Sequence, residues 1–335
     1  MEACSAHPNE AGGVSRPRQA AVTTTARLHF GFLDPSGRGT RPFGSFGLSL
    51  DRPSTRLTLT RADRFAVSGP ERDRAERYLR SIAECCGVDQ AYDLRITEAI
   101  PPHAGLGSGT QLALAVGSAF AVLEGLTLKP EDIAARLGRG TRSGIGIATF
   151  AQGGAVLDSG PLQGALPQLV NRLPFPPQWR VLLIFDDATS GLAGASETAA
   201  FETLPDFPPS ETEELYRRIT ESALPALAEG DFKTFCEQVG FLQARMGAYF
   251  APLQGGPYTS PRVSEALQWL RAQGITGLGQ SSWGPTGFAF VASEEQGQAL
   301  LGSLRSRTRH LGLSFALAQG RNDGALIEAS PDKIR

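Results

Sequence analysis

The chain has 335 residues, of which 41% are hydrophobic and 20% charged, with a formal net charge of −2. That length accommodates two domains of ordinary size, each with its own core. The near-neutral balance argues against broad nucleic-acid or membrane-surface binding. The basic residues are almost all arginine: lysine occurs only at Lys129, Lys233 and Lys333, and no Gly-Lys pair exists to make a Walker A loop. Four cysteines without metal-ligand spacing suit a reducing compartment. No apolar run reaches membrane-span length, and the N-terminus lacks a charged start followed by an apolar core, so a cytoplasmic location is expected.

Residues 1–20 carry almost no apolar periodicity and are expected to be a tail, with order beginning near Val22. From Thr25 to Asp34 the pattern alternates, setting Leu28, Phe30 and Phe32 on one strand face and Arg27, His29 and Gly31 on the other. Further β-like runs follow at Ser45–Leu50 and Thr55–Arg61. Residues 71–87 read as an amphipathic helix closed by Gly87, and 92–97 as a strand. After a proline-led glycine loop, residues 111–123 form an apolar run expected as a buried helix. A short helix starts at Pro130, a second glycine cluster spans 138–154, and a short strand covers 155–158. A Pro-rich stretch at 173–178 precedes a strong strand at 179–185.

The second half reads as helices near 211–228, 231–250 and 261–273, with Asp231 as an N-cap. A third glycine cluster at 277–287, a strand at 288–291, a helix near 294–305 and a strand near 311–318 complete it. The chain is thus expected to be α+β, with a tail at 1–20, one domain at 21–175 and a second at 176–330.

The stretch Pro101-Pro-His-Ala-Gly-Leu-Gly-Ser-Gly-Thr110 organises the reading. Strand, glycine loop and buried helix present backbone N–H groups and a positive helix end to a phosphate. Glycine is required where a phosphate comes close to the backbone. Gly105, Leu106, Gly107, Ser108, Gly109 and Thr110 are therefore candidate phosphate or pyrophosphate ligands. Three glycine clusters suggest one anionic ligand lying between two domains. Arg27 and His29 on one strand face suit a phosphate or carboxylate; a solvated polar face is the alternative. Asp34 precedes Pro35, where turn formation is the alternative. Asp186-Asp187, at the end of an apolar strand, are candidates for holding a metal or for capping a turn. Trp283, in a Gly/Ser loop, is placed either to stack on an aromatic ring or to plug the space under the loop.

The loop at 101–110 resembles the phosphate loop of the GHMP small-molecule kinase superfamily, Pro-x-x-x-Gly-Leu-Gly-Ser followed by a buried helix, with Gly109 as a mild departure. The second cluster, Ser143-Gly144-Ile145-Gly146 followed by Gly153-Gly154, resembles the Ser-Gly-x-Asp motif of mevalonate-type kinases, but Gly146 stands at the catalytic aspartate position. Arg27-Leu-His-Phe-Gly-Phe-Leu-Asp34, Arg142-Ser-Gly-Ile-Gly146 and Gln280-Ser-Ser-Trp-Gly-Pro-Thr-Gly287 together resemble the β-ribofuranosylaminobenzene 5′-phosphate synthase family, a non-kinase branch.

The resemblance spans residues 22–330. It implies a GHMP kinase-like two-domain fold, with an N-terminal domain like ribosomal protein S5 and a ferredoxin-like C-terminal domain. It implies a transferase that joins phosphoribosyl pyrophosphate to 4-aminobenzoate or 4-hydroxybenzoate, releasing CO2 and pyrophosphate, in methanopterin biosynthesis. Under it, Arg27, His29, Arg142 and Asp34 are the expected catalytic residues, and Ser143 and Gly144 join the phosphate ligands. Ser281, Ser282, Trp283 and Gly284 face the aromatic acid, Mg2+ accompanies the pyrophosphate with Asp187 as a candidate ligand, and no redox cofactor is needed. His29 is expected to protonate the leaving pyrophosphate or to orient the substrate. The partners are small molecules, with neither nucleic acid nor membrane, and the assembly is expected to be a homodimer. Two other readings stay open: an ATP-dependent GHMP-type kinase and an RNA-binding S5-like module.

Overall fold

The computed structural model describes residues 17–39, 42–162, 164–191 and 195–330. In chain order the first part contains β1 (Gln19–Asp34), β2 (Phe43–Arg61), β3 (Ala66–Ser68), α1 (Arg72–Cys85), β4 (Tyr92–Glu98), α2 (Ser108–Glu124), α3 (Pro130–Arg136), α4 (Ile145–Gln152), β5 (Ala155–Asp158) and β6 (Leu169–Leu173). The second contains β7 (Arg180–Phe185), α5 (Ala195–Thr203), α6 (Pro209–Arg218), a π-helical turn (Ile219–Ala223), α7 (Leu224–Glu229), α8 (Phe232–Gln254), α9 (Pro261–Ala272), β8 (Leu278–Gln280), β9 (Gly287–Val291), α10 (Glu294–Arg307), a 3-10 turn (Arg309–Leu311), β10 (Ser314–Ala318) and β11 (Leu326–Ser330).

The first sheet runs β11-β1-β2-β4-β3, and the N-terminal half of β2 also pairs with β5, which pairs with β6. The two separate β runs expected at 45–50 and 55–61 are one strand, β2, shared along its length between β5 and β4. On one face lies α2. It is apolar almost all the way round and correspondingly buried on nearly every side, with Leu112, Leu114, Val116, Phe120 and Leu123 in the core. Gly117 lets α3 approach, since a Cβ there would lie 2.3 Å from Ile133 Cγ2.

The second sheet runs β10-β7-β9-β8. With chain order β7, helices, β8, β9, α10, β10, this is the βαββαβ ferredoxin-like arrangement. β7 is buried on both faces, as its unbroken apolar run requires. Val181 and Leu183 face the large core shared with β1 and α8, while Leu182 and Ile184 face α9 and α10. Phe30, Phe46, Phe175, Phe235, Phe288 and Phe290 meet in that shared core, which joins the two sheets.

Some expectations are corrected. The expected tail at 1–20 lies outside the described residues up to 16, but β1 already begins at Gln19. The last strand does not belong to the second sheet: β11 returns to pair antiparallel with β1, Gln19↔Ser330 through Thr23↔Leu326. Its five residues are all exposed, so no alternation of burial marked it in the sequence. β6, which ends where the Pro-rich stretch begins, and α5 were not anticipated.

Candidate active site

The glycine loop between β4 and α2 lies on the end of β1. Gly105 and Gly107 both take positive φ, 76° and 81°, and Gly107 is the N-cap residue of α2, with no side chain capping it. The first N–H groups of α2, at Ser108, Gly109 and Thr110, therefore face outward as unpartnered helix-end donors do. Arg27, on β1, holds the loop from below. Its Nη1 donates to Gly105 O at 2.6 Å and its backbone N to Leu106 O at 3.1 Å. A Cβ on Gly107 would lie 3.1–3.3 Å from the Arg27 side chain.

The loop after β8 closes against the same point. Ser281 Oγ donates to Gly105 O at 2.7 Å and accepts from His29 N at 3.1 Å. Ser282 N donates to His29 O, also at 3.1 Å. A Cβ on Gly105 would lie 2.2 Å from Ser281 O, so the loops can meet only over glycine.

Two cavities share the wall formed by Ser282 and Trp283. The first is an open cleft, lined by Arg27, Arg74, Tyr78, His103, Gly105, Gly107, Ser108, Gly109, Thr110, Arg139 and Gly284 besides the shared pair. Arg74 rises from α1, ion-paired with Glu71 at 3.0 Å and donating to His103 Nε2 at 3.3 Å. Arg139, from the turn after α3, lies 3.4 Å from Thr110 Oγ1. Among the described residues, three guanidiniums and a helix N-terminus line this cleft, and no carboxylate does. It is built for a multiply charged anion.

The second, smaller cavity runs along β1 behind Trp283, walled by Phe32, Met246, Phe250 and Pro257 with His29 on its face. Trp283 packs on Phe250 at 4.6 Å and Phe201 at 5.5 Å between ring centroids. It is thus both the plug under its loop and the partition between the two cavities. His29 is 3% exposed. Burial and then the Arg27 charge push its pKa down to about 3, so the ring is neutral.

Comparison with known proteins was made against this geometry. Residues 73–154 match the GHMP kinases N terminal domain, and residues 223–310 the GHMP kinases C terminal domain. The chain is similar to β-ribofuranosylphenol 5′-phosphate synthase of Archaeoglobus fulgidus, 30% identical over 330 residues, covering 92% of this chain and 99% of the relative. The chain belongs to the β-ribofuranosylphenol 5′-phosphate synthase family. The synthase of Methanothermobacter thermautotrophicus is 28% identical over 299 residues, covering 82% of this chain and 89% of that one. Among solved structures, homoserine kinase from Cytophaga hutchinsonii superposes with a TM-score of 0.65 at 17% identity, covering 95% of this chain and 100% of that one. Mevalonate diphosphate decarboxylase from Staphylococcus aureus gives 0.63 at 16%, covering 96% and 100%. These likenesses establish the GHMP fold. The family membership makes the chain an enzyme of the synthase type.

Within this synthase, the expected site residues divide. Arg27, Gly105, Gly107, Ser108, Gly109 and Thr110 line the anionic cleft, with Ser282, Trp283 and Gly284 on its far wall. Ser281 is fully buried and braces the two loops. Leu106 is not a ligand: its side chain enters the shared core and its carbonyl is taken by Arg27. His29 lines the apolar cavity and not the cleft. A neutral, buried imidazole there does not protonate a pyrophosphate held in the cleft.

Ser143 and Gly144 are not in the cleft either; the missed residue Asp158 holds them. Its buried carboxylate accepts from Gly144 N at 2.7 Å, Ser143 Oγ at 3.3 Å, Ser45 Oγ at 2.5 Å, Ser45 N at 3.1 Å and Gly160 N at 2.8 Å. Burial pushes its carboxyl up, and these donors oppose that shift.

Arg142 lies over the Phe201 ring at 4.8 Å, and that ring packs on Trp283. Asp34 closes its own turn, accepting from Ser36 Oγ at 2.7 Å and Gly39 N at 2.9 Å. Asp187 is exposed on the loop after β7 and lines neither cavity. Its neighbour Asp186 is a structural anchor, ion-paired with Arg262 at 2.6 Å and bonded to Ser260 Oγ at 2.6 Å.

Arg74, Tyr78, His103 and Arg139 were not singled out by the sequence. Tyr78 fell on the helical face expected to be apolar, and Arg139 lay three residues before the motif that drew attention to Arg142. Gly146 packs on the loop helix, where an added Cβ would lie 2.9 Å from Thr110 Cγ2. A carboxylate at that position would have to displace Thr110.

Proposed function

We propose that this enzyme condenses phosphoribosyl pyrophosphate with 4-hydroxybenzoate or 4-aminobenzoate. CO2 and pyrophosphate leave, and a β-ribofuranosyl C-glycoside 5′-phosphate of tetrahydromethanopterin biosynthesis forms. The observation that carries the reading is the adjacency of a cleft of three arginines and an apolar chamber, divided only by Ser282 and Trp283. One substrate of the reaction is a polyanion and the other a flat ring, and their reacting carbons must meet where the two cavities meet. The relatives are named for a phenol product, which favours the hydroxybenzoate as acceptor.

In this mechanism the α2 N-terminus and the N–H groups of Ser108 to Thr110 receive the charge that develops on the departing pyrophosphate. Arg27, Arg74 and Arg139 bind phosphate oxygens in bidentate geometry. C1 of the ribose gains oxocarbenium character as the bond to pyrophosphate breaks. The ring carbon bearing the carboxylate attacks it, and loss of CO2 restores aromaticity. No redox cofactor is needed.

Mg2+ is a separate proposal. Among the described residues, the cleft contributes no carboxylate, and no group of three or more His, Cys, Asp or Glu is placed to hold a metal. A Mg2+ ion would therefore arrive on the pyrophosphate oxygens. We further propose a cytoplasmic homodimer acting on small molecules alone; among the described residues no helix is long and apolar enough to cross a membrane. The kinase reading is disfavoured by Gly146.

The test is to mix the protein, phosphoribosyl pyrophosphate and carboxyl-labelled acid. Labelled CO2 released only when all three are present is the expected result. ADP formation from ATP and an alcohol, with no CO2, would sink the proposal.

A further inference from the structure

On the wall of the apolar chamber, the protein leaves the His29 side chain without a hydrogen bond. Its main chain is fully engaged, with N bonded to Ser281 and O to Ser282. Its ring is set edge-on against Phe32 at 4.7 Å. Yet both ring nitrogens are buried, and neither makes a hydrogen bond with the protein. A buried imidazole in that condition is unfavourable unless a ligand supplies the partner.

Three glutamines facing this chamber are hydrogen-bonded within the protein. Gln243 bonds Phe30 O and Gln280 N. Gln280 accepts from Thr259 N and donates to Ser282 O. Gln254 Oε1 accepts from Thr259 Oγ1. Among the described residues, no lysine, arginine or carboxylate lines the chamber.

Orientation follows from the chemistry, and here the inference rests on the function proposed above. The carbon that attacks the ribose carries the carboxylate. That end of the ring must face the cleft, where Arg27 lies. The opposite end, with the hydroxyl or amino group, then points into the chamber. The carboxylate cannot be the buried end, because nothing there compensates its charge.

We propose that His29 reads the para substituent of the acceptor, accepting a hydrogen bond from its O–H or N–H. With a hydroxyl acceptor the step is proton transfer. As the ring carbon bonds to C1 and pyrophosphate departs with the electron pair of the C1–O bond, the O–H proton passes to His29 and the ring becomes a dienone. The C–CO2 bond then breaks, its electron pair rearomatises the ring, CO2 leaves, and His29 returns the proton to the phenolate oxygen. A neutral imidazole suits this role, having one nitrogen free to accept. Its low basicity is no obstacle, since the hydroxyl becomes strongly acidic as the ring loses aromaticity.

The experiment compares wild type with His29→Phe, and with His29→Leu if the larger ring does not fold, folding being checked by a thermal melt. Affinities for benzoate, 4-hydroxybenzoate and 4-aminobenzoate are measured by calorimetry in the presence of phosphoribosyl pyrophosphate at low temperature. Wild type is expected to prefer the two para-substituted acids over benzoate by about tenfold, and the variant to bind all three alike. Turnover of the acid that wild type consumes should fall by about 10²-fold or more, with KM for phosphoribosyl pyrophosphate unchanged. His29→Asn, which keeps an acceptor atom, should recover part of the preference. A variant that keeps the full preference, or a wild type that shows none, overturns the assignment. Absence of CO2 release from wild type with either acid would instead refute the underlying function.

Discussion

At the scale of single residues, His29 shows how a strand pattern can name the right residue for the wrong chemistry. Alternation along β1 grouped it with Arg27 as a second cation. The fold turns the ring into an apolar chamber, and Arg27 helps to keep it uncharged. This has a consequence for stability. An unfolded His29 takes up a proton near pH 6.5, whereas the folded one does so only near pH 3. Between those values the unfolded chain binds more protons, so stability falls as the pH is lowered, by up to about 1.4 kcal/mol per pH unit from this group. Above pH 6.5 the two states carry the same charge on His29 and the slope vanishes. Urea denaturation of wild type and His29→Phe between pH 7 and pH 4 should show the balance shifting toward the variant as the pH drops. A stability difference that does not vary with pH would contradict the buried, neutral imidazole.

At the scale of elements, the cleft is assembled from ends. The N-terminus of α2, the first turns of α1, the turn after α3 and the loop between β8 and β9 each contribute between one and three residues. Their spacing depends on glycine contacts such as Gly105 against Ser281. Of the two arginines in the turn after α3, Arg139 reaches the cleft and Arg142 lies over Phe201. Arg139→Ala should therefore raise KM for phosphoribosyl pyrophosphate by about tenfold or more, the loss of a charge-assisted contact. Arg142→Ala should leave that KM within about threefold and alter the aromatic acid's KM instead, through the Phe201–Trp283 wall. Steady-state kinetics with each substrate varied in turn separates the two outcomes. Equal effects on the phosphate substrate would mean that Arg142 also enters the cleft during turnover.

At the scale of the whole molecule, the chain is not two beads in sequence. It leaves the first sheet after β6, builds the ferredoxin-like sheet, and returns through β11 to the edge of β1. The core between the sheets mixes residues from both halves, so the site sits over one continuous apolar mass. Truncation before Leu326 should lower the melting temperature by a few degrees, because Gln19–Thr23 lose their outer strand. Activity per folded molecule should be retained, since β11 pairs only with the part of β1 that precedes Arg27. Calorimetry and an assay at low temperature would check both. An unchanged melting temperature would show that the last strand contributes nothing to the first sheet.

Much of this was legible in the chain itself. The apolar run of α2, the alternation of β1 and the glycine loop report local burial and backbone conformation, and each is written in consecutive residues. The loop motifs also carried the family. The partners of those motifs were not legible. Ser281 bonds His29 across 252 positions, and Asp158 rather than a ligand occupies Ser143 and Gly144. Such pairings depend on which strand edge and which helix end the fold brings together, and no local period encodes them. The sequence by itself determined that a phosphate loop, a strand with Arg27 and His29, and a Trp283 loop exist. Only the tertiary structure decided that the arginine faces one cavity and the histidine another. The reason is steric and electrostatic: two loops meet over a glycine, and Trp283 divides the space beside them into a charged cleft and an apolar chamber.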